Sequence, residues 1–400
     1  MLIRNNAPVF GADGSAYPQP GAWQLNISAR NLVSNDHYNG EVEQHERQER
    51  ENYITNKQNL FDVGITRQMT PRISASVAVP FVYSAWAFRS PTSPLPGERI
   101  EEPQWGRGLG DITATARTWI MAPDSHPNWN VAVGGGVKFP TGNEAYRDTF
   151  MVVRGAVQGI LGNPVPGFVE VQEEQNVDQS VNPGDGGWGL MADTSAFWLI
   201  KRAFLFGSVS YLANPQDTNG TPSISVILGI TPVPGSPNAL AKLGENSIGD
   251  QYLVRLGGST NIWKGITGSV SWRMEGLKRA DLFGDSNGFR RPGTSMFIEP
   301  GIAYTNGKHA VSFNVPFAYY YNRHPHAVTN APGDATFPRH IFLTSYSVRL
   351  GGASAPAVRT QATPSEQPTT PVTAPVTTPE PVKESSGQLM CTPVQSFRFR

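Results

Sequence analysis

Hydrophobic and polar positions alternate along this chain with a period of two, which predicts β-strands rather than helices. In the segment that begins at Ile266, the side chains of Ile266, Val270 and Trp272 share one face, and those of Thr267 and Arg273 share the other. Twelve such segments follow one another: 22–31, 57–69, 71–85, 109–120, 128–139, 187–200, 203–212, 250–262, 265–276, 294–305, 308–321 and 339–351. The pattern therefore predicts an all-β chain.

The connections between these segments alternate in length. Short turns follow the even-numbered strands, and long polar connections follow the odd-numbered ones: 32–56, 86–108, 140–186, 213–249, 277–293 and 322–338. Loops of that length are unusual in a compact soluble domain. Short turns at one end and long loops at the other are typical of outer-membrane barrels. We therefore predict a transmembrane antiparallel up-and-down β-barrel of about 12 strands with long extracellular loops.

Aromatic residues support a membrane-spanning barrel because they fall near both ends of the predicted strands. The short-turn ends carry Trp23, Trp129, Trp198, Trp263 and Tyr304. The long-loop ends carry Tyr83, Trp188, Tyr252, Trp272 and Tyr319. Two such belts are expected where amphipathic rings lie at the two lipid–water interfaces.

The face opposite the apolar one carries many charges. These predicted lumen-lining residues are Arg30, Asp62, Arg72, Asp111, Arg117, Lys138, Asp193, Arg255, Arg273, Glu275, Glu299 and Arg349. A soluble β-sandwich or propeller also alternates, but its core could not hold so many charges, whereas a water-accessible lumen could. Two interiors are compatible with this set: a narrow, charge-lined path that tolerates anions, or a closed network of salt bridges.

The chain divides into three parts by composition. Residues 1–21 form an N-terminal segment without the apolar core of a secretory signal peptide, which leaves export to the outer membrane unexplained. Residues 22–351 form the predicted barrel. Residues 352–400 are rich in Pro and Thr, and we expect a disordered tail that either extends from the membrane as a tether to the cell wall or has no contact.

Composition excludes several other classes of function. Lys and Arg together number 32, as do Asp and Glu, so no net charge points to a nucleic-acid partner. Cys391 is the one cysteine, which excludes an intrachain disulfide and a cysteine-rich metal site. No apolar run is long enough for a transmembrane helix. The expected partners are outer-membrane lipid and a small-molecule solute, without a cofactor.

Histidines offer only weak candidates for catalysis. His340 lies on the outward face at a long-loop end, but no outward serine is expected beside it for a phospholipase-like pair. Asp36 and His37 resemble half of a protease site, without a second pair. His324 and His326 share a loop without a third metal ligand. We therefore predict no enzymatic activity and no metal site, with an outer-membrane hydrolase as the remaining alternative.

Three short motifs resemble those of the outer-membrane barrel family named after the phenol meta-cleavage degradation pathway. The motifs are GLGD at 108–111, KFPTGN at 138–143 and DQSVNPGDG at 178–186, and their residues include Gly108, Gly110, Asp111, Lys138, Pro140, Thr141, Gly142, Pro183 and Gly184. The resemblance implies a Gram-negative outer-membrane transporter of small, often aromatic or hydrophobic, compounds. The tail and the N-terminus depart from that pattern. A surface-binding or envelope-tethering barrel is the alternative function.

Two further stretches invite interpretation. The run VAVGGGVKFPTGN at 131–143 looks like a phosphate-binding loop, but it lacks a Lys after Gly142 and a following helix, so we assign its glycines to a barrel strand. The apolar run 149–162 is expected to form a constriction, a surface patch or a short helix over the barrel. Trp86, Phe88 and Trp105 either guide aromatic solutes or pack the base of their loop.

Overall fold

The barrel predicted by the alternating pattern is confirmed by a computed structural model, which describes residues 17–89, 101–154, 169–227, 243–330 and 333–351. Its wall consists of β1 (Trp23–Asn39), β3 (Thr55–Gln68), β4 (Ile73–Arg89), β5 (Glu101–Leu109), β6 (Thr113–Trp119), β7 (Trp129–Lys138), β10 (Gly189–Ile200), β11 (Ala203–Ala213), β14 (Gln251–Trp263), β15 (Ile266–Leu277), β16 (Gly293–Asn306), β17 (His309–Asn314), β18 (Phe317–Arg323) and β19 (Asp334–Leu350). Because β5 and β6 form one wall strand and β17 and β18 form another, the wall has twelve strands.

Each wall strand pairs antiparallel with the next one in the chain, and the last strand closes the barrel on the first. Trp23 of β1 lies opposite Leu350 of β19, and the pairing continues to Asn39 opposite Asp334. Closure leaves no unpaired sheet edge in the membrane, where an unsatisfied backbone group is costly. The architecture is thus a closed, up-and-down, antiparallel barrel.

Two wall strands are interrupted, which the sequence pattern did not predict. The fourth was predicted at 109–120, but it begins with β5, inside the predicted connection 86–108, and it breaks between Leu109 and Thr113, opposite Pro80 of β4. The eleventh breaks at residues 315–316, where Pro316 interrupts the run. Proline has no backbone N–H to donate to a neighbouring strand, so regular pairing stops beside it.

Several strands also extend further into the long-loop end than predicted. Strand β1 continues to Asn39 rather than ending near residue 31, and β19 begins at Asp334 rather than near residue 339. These extensions lack a continuous apolar face. Alternation of apolar and polar residues therefore indicates only the part of each strand that faces lipid.

The long connections contain their own secondary structure. It comprises β2 (Val42–Glu43), α1 (Glu46–Glu49), β8 (Arg147–Arg154), β9 (Val169–Asn176), β12 (Thr218–Pro222), α2 (Ile224–Ile227) and β13 (Glu245–Ser247). Strands β8 and β9 pair with each other, as do β12 and β13. Among the described residues, no helix has the length and apolar character needed to cross a membrane.

Apolar side chains cover the outside of the wall. Exposed large residues include the aromatic side chains predicted for the short-turn end, where Trp198 is 57% and Trp263 is 71% exposed. At the long-loop end, Trp188 and Tyr319 are exposed, and the Trp272 indole N–H donates to the Tyr319 hydroxyl at 2.7 Å. An apolar outside with aromatic rings at both ends is the surface that a bilayer requires.

Candidate functional site

Aromatic side chains fill the barrel interior at its short-turn end. Phe197 of β10 stacks on Phe204 of β11 with ring centroids 5.2 Å apart, and Trp119 of β6 meets Phe197 edge-to-face at 5.6 Å. Tyr17 packs against Trp119 at 5.1 Å and donates a hydrogen bond to the carbonyl oxygen of His126. This aromatic layer was not predicted, because the inward face was expected to be lined by charged residues. Phe204 and Phe206 are spaced two positions apart from each other and from Ser208, so the three side chains lie on the same inward face.

Above the aromatic layer, a network of buried ions crosses the interior. Arg30 of β1 donates to both carboxylate oxygens of Glu275 of β15, at 2.5 and 3.2 Å. Glu275 also accepts from Arg273 at 2.5 and 2.8 Å, and Arg273 lies 3.5 Å from a carboxylate oxygen of Glu299. Glu299 in turn binds Arg255, whose guanidinium lies over the Phe206 ring. The structure therefore places five of the predicted lumen-lining residues in one network.

The position of the Arg30–Glu275 pair is distinctive within that network. Arg255, Arg273 and Glu299 lie on the neighbouring strands β14, β15 and β16, so their ion pairs run along one side of the wall. Arg30 comes from β1, which is separated from β15 by three wall strands. The side chains of Arg30, Glu275, Arg273 and Glu299 are at most 4% exposed. Because the buried Arg30–Glu275 pair connects β1 to β15, its side chains occupy part of the interior at that level.

The other predicted lumen-lining residues occupy separate positions. Arg117 pairs with Asp193 between β6 and β10, and Asp62 is buried on β3. Arg72 lies in the turn between β3 and β4 and donates to the carbonyl oxygens of Trp119 and Ile120. Arg349 lies half-buried near the end of β19. A lumen-lining role for the whole set stays a prediction.

The three glycine-rich motifs meet at the break in the fourth wall strand. Asp111 accepts hydrogen bonds from the backbone N–H of Gly142 at 3.0 Å and of Asp185 at 3.1 Å. The Thr141 hydroxyl accepts from the N–H of Ile112 and donates to the carbonyl oxygen of Gly110, each at 2.9 Å. These bonds satisfy backbone groups that lose their strand partners at the break.

Close backbone contacts explain why this junction contains glycine. A Cβ atom on Gly142 would lie 2.6 Å from the Cα of Gly184, and one on Gly106 would overlap the carbonyl of Val181. Gly108 has φ +146 and faces the Pro183 ring. The Lys138 ammonium binds Asp185 and lies 3.8 Å from Asp111. Residues 177–187, which we call the docked segment, are thereby held against β5 and the end of β7, which Pro140 follows in the chain.

A cavity of about 470 Å³ occupies the long-loop half of the interior. Its lining includes Glu275 of the ion network, residues of the docked segment such as Ser180, and apolar side chains such as Trp86, Phe289 and Phe337. A volume of this size lies in the range typical of small-molecule sites. The cavity therefore ends on the ion network at one side and on the loops at the other.

An ion pair anchors the docked segment beside this cavity. Both oxygens of fully buried Asp178 accept from the guanidinium of Arg291, at 2.9 and 2.6 Å. Burial alone would raise the pKa of Asp178, but its pairing with Arg291 and its bonds from Ser180 outweigh burial and lower the pKa. Asp178 is thus ionised at neutral pH and stabilises the segment in its docked position. Asp178 opens one of the three sequence motifs, but its pairing with Arg291 was not predicted, because the two residues lie in long loops 113 positions apart.

The apolar run at 149–162 does not begin as a helix. Residues up to Arg154 belong to strand β8, and Phe150 and Val152 are fully buried against Trp86, Val177 and Val181. The helix alternative is therefore wrong for this part, since the side chains alternate between a buried face and an exposed one. Residues 155–168 lie outside the described part of the chain.

The three loop aromatics separate onto two faces. Trp86 is buried in the cluster with Phe150, and its ring is tilted against that of Phe88 with centroids 5.7 Å apart, whereas Trp105 is 39% exposed and its ring centroid lies 5.4 Å from that of Tyr83. Trp86 lines the cavity, and Trp105 does not.

The histidines considered for catalysis have structural partners. His37 contacts Asp334 at 3.0 Å through Nδ1 and accepts the N–H of Ile54 at its Nε2, which fixes its ring. His324 bonds Thr294, and His326 bonds the carbonyl of Gly288. His340 lies between the rings of Phe317 and Phe342. Within the described ranges, no three metal-ligating side chains converge. Cys391 and the tail, with its predicted contact to the cell wall, lie outside those ranges.

The fold is similar to those of solved outer-membrane barrels. No protein-family model and no curated protein matches the chain. Among solved structures, it is similar to the COG4313 outer membrane channel from Pseudomonas putida F1, with a TM-score of 0.53 and 11% identity over 86% of this chain and 100% of that one. It also matches the translocator domain of autotransporter NalP from Neisseria meningitidis, with a TM-score of 0.41 and 10% identity over 83% of this chain and 90% of that one.

A Pseudomonas aeruginosa FadL homologue matches at a TM-score of 0.35 and 7% identity, over 85% of this chain and 93% of that one. At such low identity, the likeness defines the fold alone. The fold is that of an outer-membrane β-barrel. The narrower resemblance, to the barrel family of the phenol degradation pathway, stays a prediction.

Proposed function

We propose that this chain is an outer-membrane channel for small solutes, with aromatic and hydrophobic compounds among them. One observation carries the proposal: a cavity of solute size in the long-loop half of the barrel has Glu275 in its wall, and Glu275 belongs to the ion network across the interior. A solute that enters from the extracellular loops therefore meets the ion network directly below the cavity.

The ion network acts as the barrier in this proposal. Passage of a solute requires the Arg30–Glu275 contact to separate, because this pair joins β1 to β15 across the interior. Arg273 remains hydrogen-bonded to Glu275 when Arg30 leaves, so the carboxylate keeps one cationic partner. Opening then leaves only Arg30 unpaired, and water or the solute in the path must solvate its charge. The arrangement suits a channel whose first barrier, the ion network, opens by movement of one side chain, with the aromatic layer of the short-turn end beyond it.

Liposome swelling tests this function without knowledge of the natural solute. Liposomes that carry the purified protein are diluted into isosmotic solutions of aromatic and aliphatic acids, and protein-free liposomes serve as the control. The expected result is faster swelling with the protein, and faster still with Arg30→Met. Equal swelling of protein-containing and protein-free liposomes, in both variants, would contradict a channel and favour the surface-binding or tethering barrel.

A further inference from the structure

The cavity in the long-loop half contains an arginine whose charge no acid neutralises. Arg323, at the end of β18, donates from one terminal nitrogen to the carbonyl oxygen of Arg291 at 3.0 Å and from the other to that of Thr336. Its guanidinium carbon lies over the Phe337 ring, 3.6 Å from the centroid. Among the described residues, no carboxylate lies within ion-pair distance of it, and its Nε has no hydrogen-bond partner.

The acids of the cavity wall are already occupied. Glu275 binds Arg30 and Arg273, Asp185 binds Lys138, and Asp334 binds Arg47 and contacts His37. The neighbouring cation Arg291 is held by both oxygens of Asp178. Each of these acids therefore already has a cationic partner within the protein. Arg323 is left with a positive charge, and it lines the cavity.

The geometry of Arg323 suits a planar anion. A guanidinium carries five N–H donors in a rigid plane, and the two bonds to carbonyl oxygens leave three of them. The Nε–H is buried, so the remaining N–H groups on the two terminal nitrogens are the donors for a ligand. Stacking on Phe337 fixes that plane, so little side-chain entropy is lost when a carboxylate binds. A desolvated cation without a counter-charge is costly, and an incoming anion removes that cost.

The rest of the wall selects the body of the ligand. Trp86, Phe289 and Phe337 supply aromatic surface, while Asn56, Gln58 and Ser180 supply neutral polar groups. A volume of about 470 Å³ accommodates a single aromatic ring with its substituents. An inorganic anion would use Arg323 but would leave the aromatic surface uncovered.

We propose that this cavity binds a small carboxylate with an aromatic body, and that Arg323 is its anion-binding residue. This site rests on the proposed channel function and adds the class of solute that binds in the extracellular half of the path. A carboxylate held there lies next to Glu275, so it arrives at the point where the Arg30–Glu275 pair must open.

Equilibrium binding tests the site separately from transport. Benzoate is titrated by calorimetry into the full chain in detergent micelles, beside benzamide, which has the same ring and no charge, and beside sodium chloride. Hydrogen bonds to charged groups contribute enough that we expect Arg323→Gln to weaken benzoate binding about ten- to a hundredfold. The matched control is Arg339→Gln, which removes a 69% exposed cation that pairs with Asp36 and does not line the cavity. We expect this control to bind benzoate as the parent chain does.

The outcomes separate this site from the channel. Benzoate binding that benzamide does not match, and that Arg323→Gln weakens while Arg339→Gln does not, supports the site even if liposomes fail to swell. Equal binding of benzoate and benzamide, or undiminished binding in Arg323→Gln, overturns it even if swelling is fast. Chloride that competes as well as benzoate also overturns the proposal, because the aromatic wall then contributes nothing. Heat-modifiable migration on gels shows that each variant has folded.

Discussion

Arg30 and Glu275 lie 245 positions apart in the chain, yet their side chains form a doubly hydrogen-bonded ion pair inside the barrel. Breaking a buried pair by removing one partner costs far more than the pair adds over an apolar substitute, because the remaining charge stays in a dry site. Glu275 has two arginine partners and Arg30 has one carboxylate partner, so substitution of Glu275 should cost more stability than substitution of Arg30.

Glu275→Gln should reduce the free energy of unfolding by about 3–5 kcal/mol, because it leaves Arg30 without a carboxylate and Arg273 with Glu299 alone. Arg30→Met should cost less, since Glu275 keeps Arg273. Urea unfolding in detergent measures both. Arg339→Met, at the exposed pair with Asp36, is the control and should change stability by about 0–1 kcal/mol. A loss for Glu275→Gln no larger than for this control would contradict the buried network.

Gly184→Ala should loosen the docked segment. Its new Cβ would lie 2.7 Å from the Cα of Gly142, so the two backbones would have to separate. We expect a loss of about 1–3 kcal/mol and faster proteolysis within residues 177–187. Gly64→Ala is the matched control, because its Cβ meets nothing closer than 3.9 Å. Equal protease resistance of the two variants would refute the close contact.

The number and order of the wall strands were predictable because lipid imposes alternation on every spanning segment. Val133 and Lys138 face the sides that their parity assigns, with Val133 39% exposed and Lys138 buried. The breaks beside Pro80 and Pro316 were not predicted. Alternation continues through the break at Pro316. At the break beside Pro80 the strand changes parity, since Leu109 is exposed and Asp111 is buried.

The interior was less predictable than the wall. The alternation of strand residues identified the inward-facing residues of the ion network. It could not predict which of them form ion pairs, such as Arg30 and Glu275, which are 245 positions apart. The docked segment and Arg323 lie in or beside long loops without a periodic pattern, so their contacts depend on the closed barrel. The glycine motifs had a detectable signal in their order along the chain, and their physical role appeared only when the backbones of Gly142 and Gly184 were seen to touch.

Val133→Arg should impair insertion, because it places a charge on the lipid-facing side of β7. The expected cost is about 2–4 kcal/mol near the bilayer midplane. Val42→Arg is the control: Val42 is 70% exposed on β2, in a long connection outside the wall. Folding into liposomes, followed by gel migration without heating, compares the two. Unimpaired insertion of Val133→Arg would show that the assigned facing is wrong.

Acid should release the docked segment through Asp178. Its pKa is lowered in the folded chain, chiefly by Arg291 acting against burial, so its stabilising contribution is complete above its unfolded value of about 3.9. That contribution decreases as the pH falls below about 4 toward the folded value. Asp178→Asn should therefore be less stable at pH 7 and lose less stability on acidification than the parent chain. Asp124→Asn, at an exposed turn, should behave as the parent does; an identical pH profile for Asp178→Asn would rule out this role.

Single-channel conductance in planar bilayers tests the central claim most directly. Three proteins are compared: the parent chain, Arg30→Met, and Arg339→Met as the control that keeps the interior intact. If the Arg30–Glu275 pair is the barrier across the barrel, the parent and the control should share a small conductance, and Arg30→Met should conduct more through the same barrel. Conductance that is absent from all three, or that is the same in Arg30→Met and the parent chain, would contradict the account.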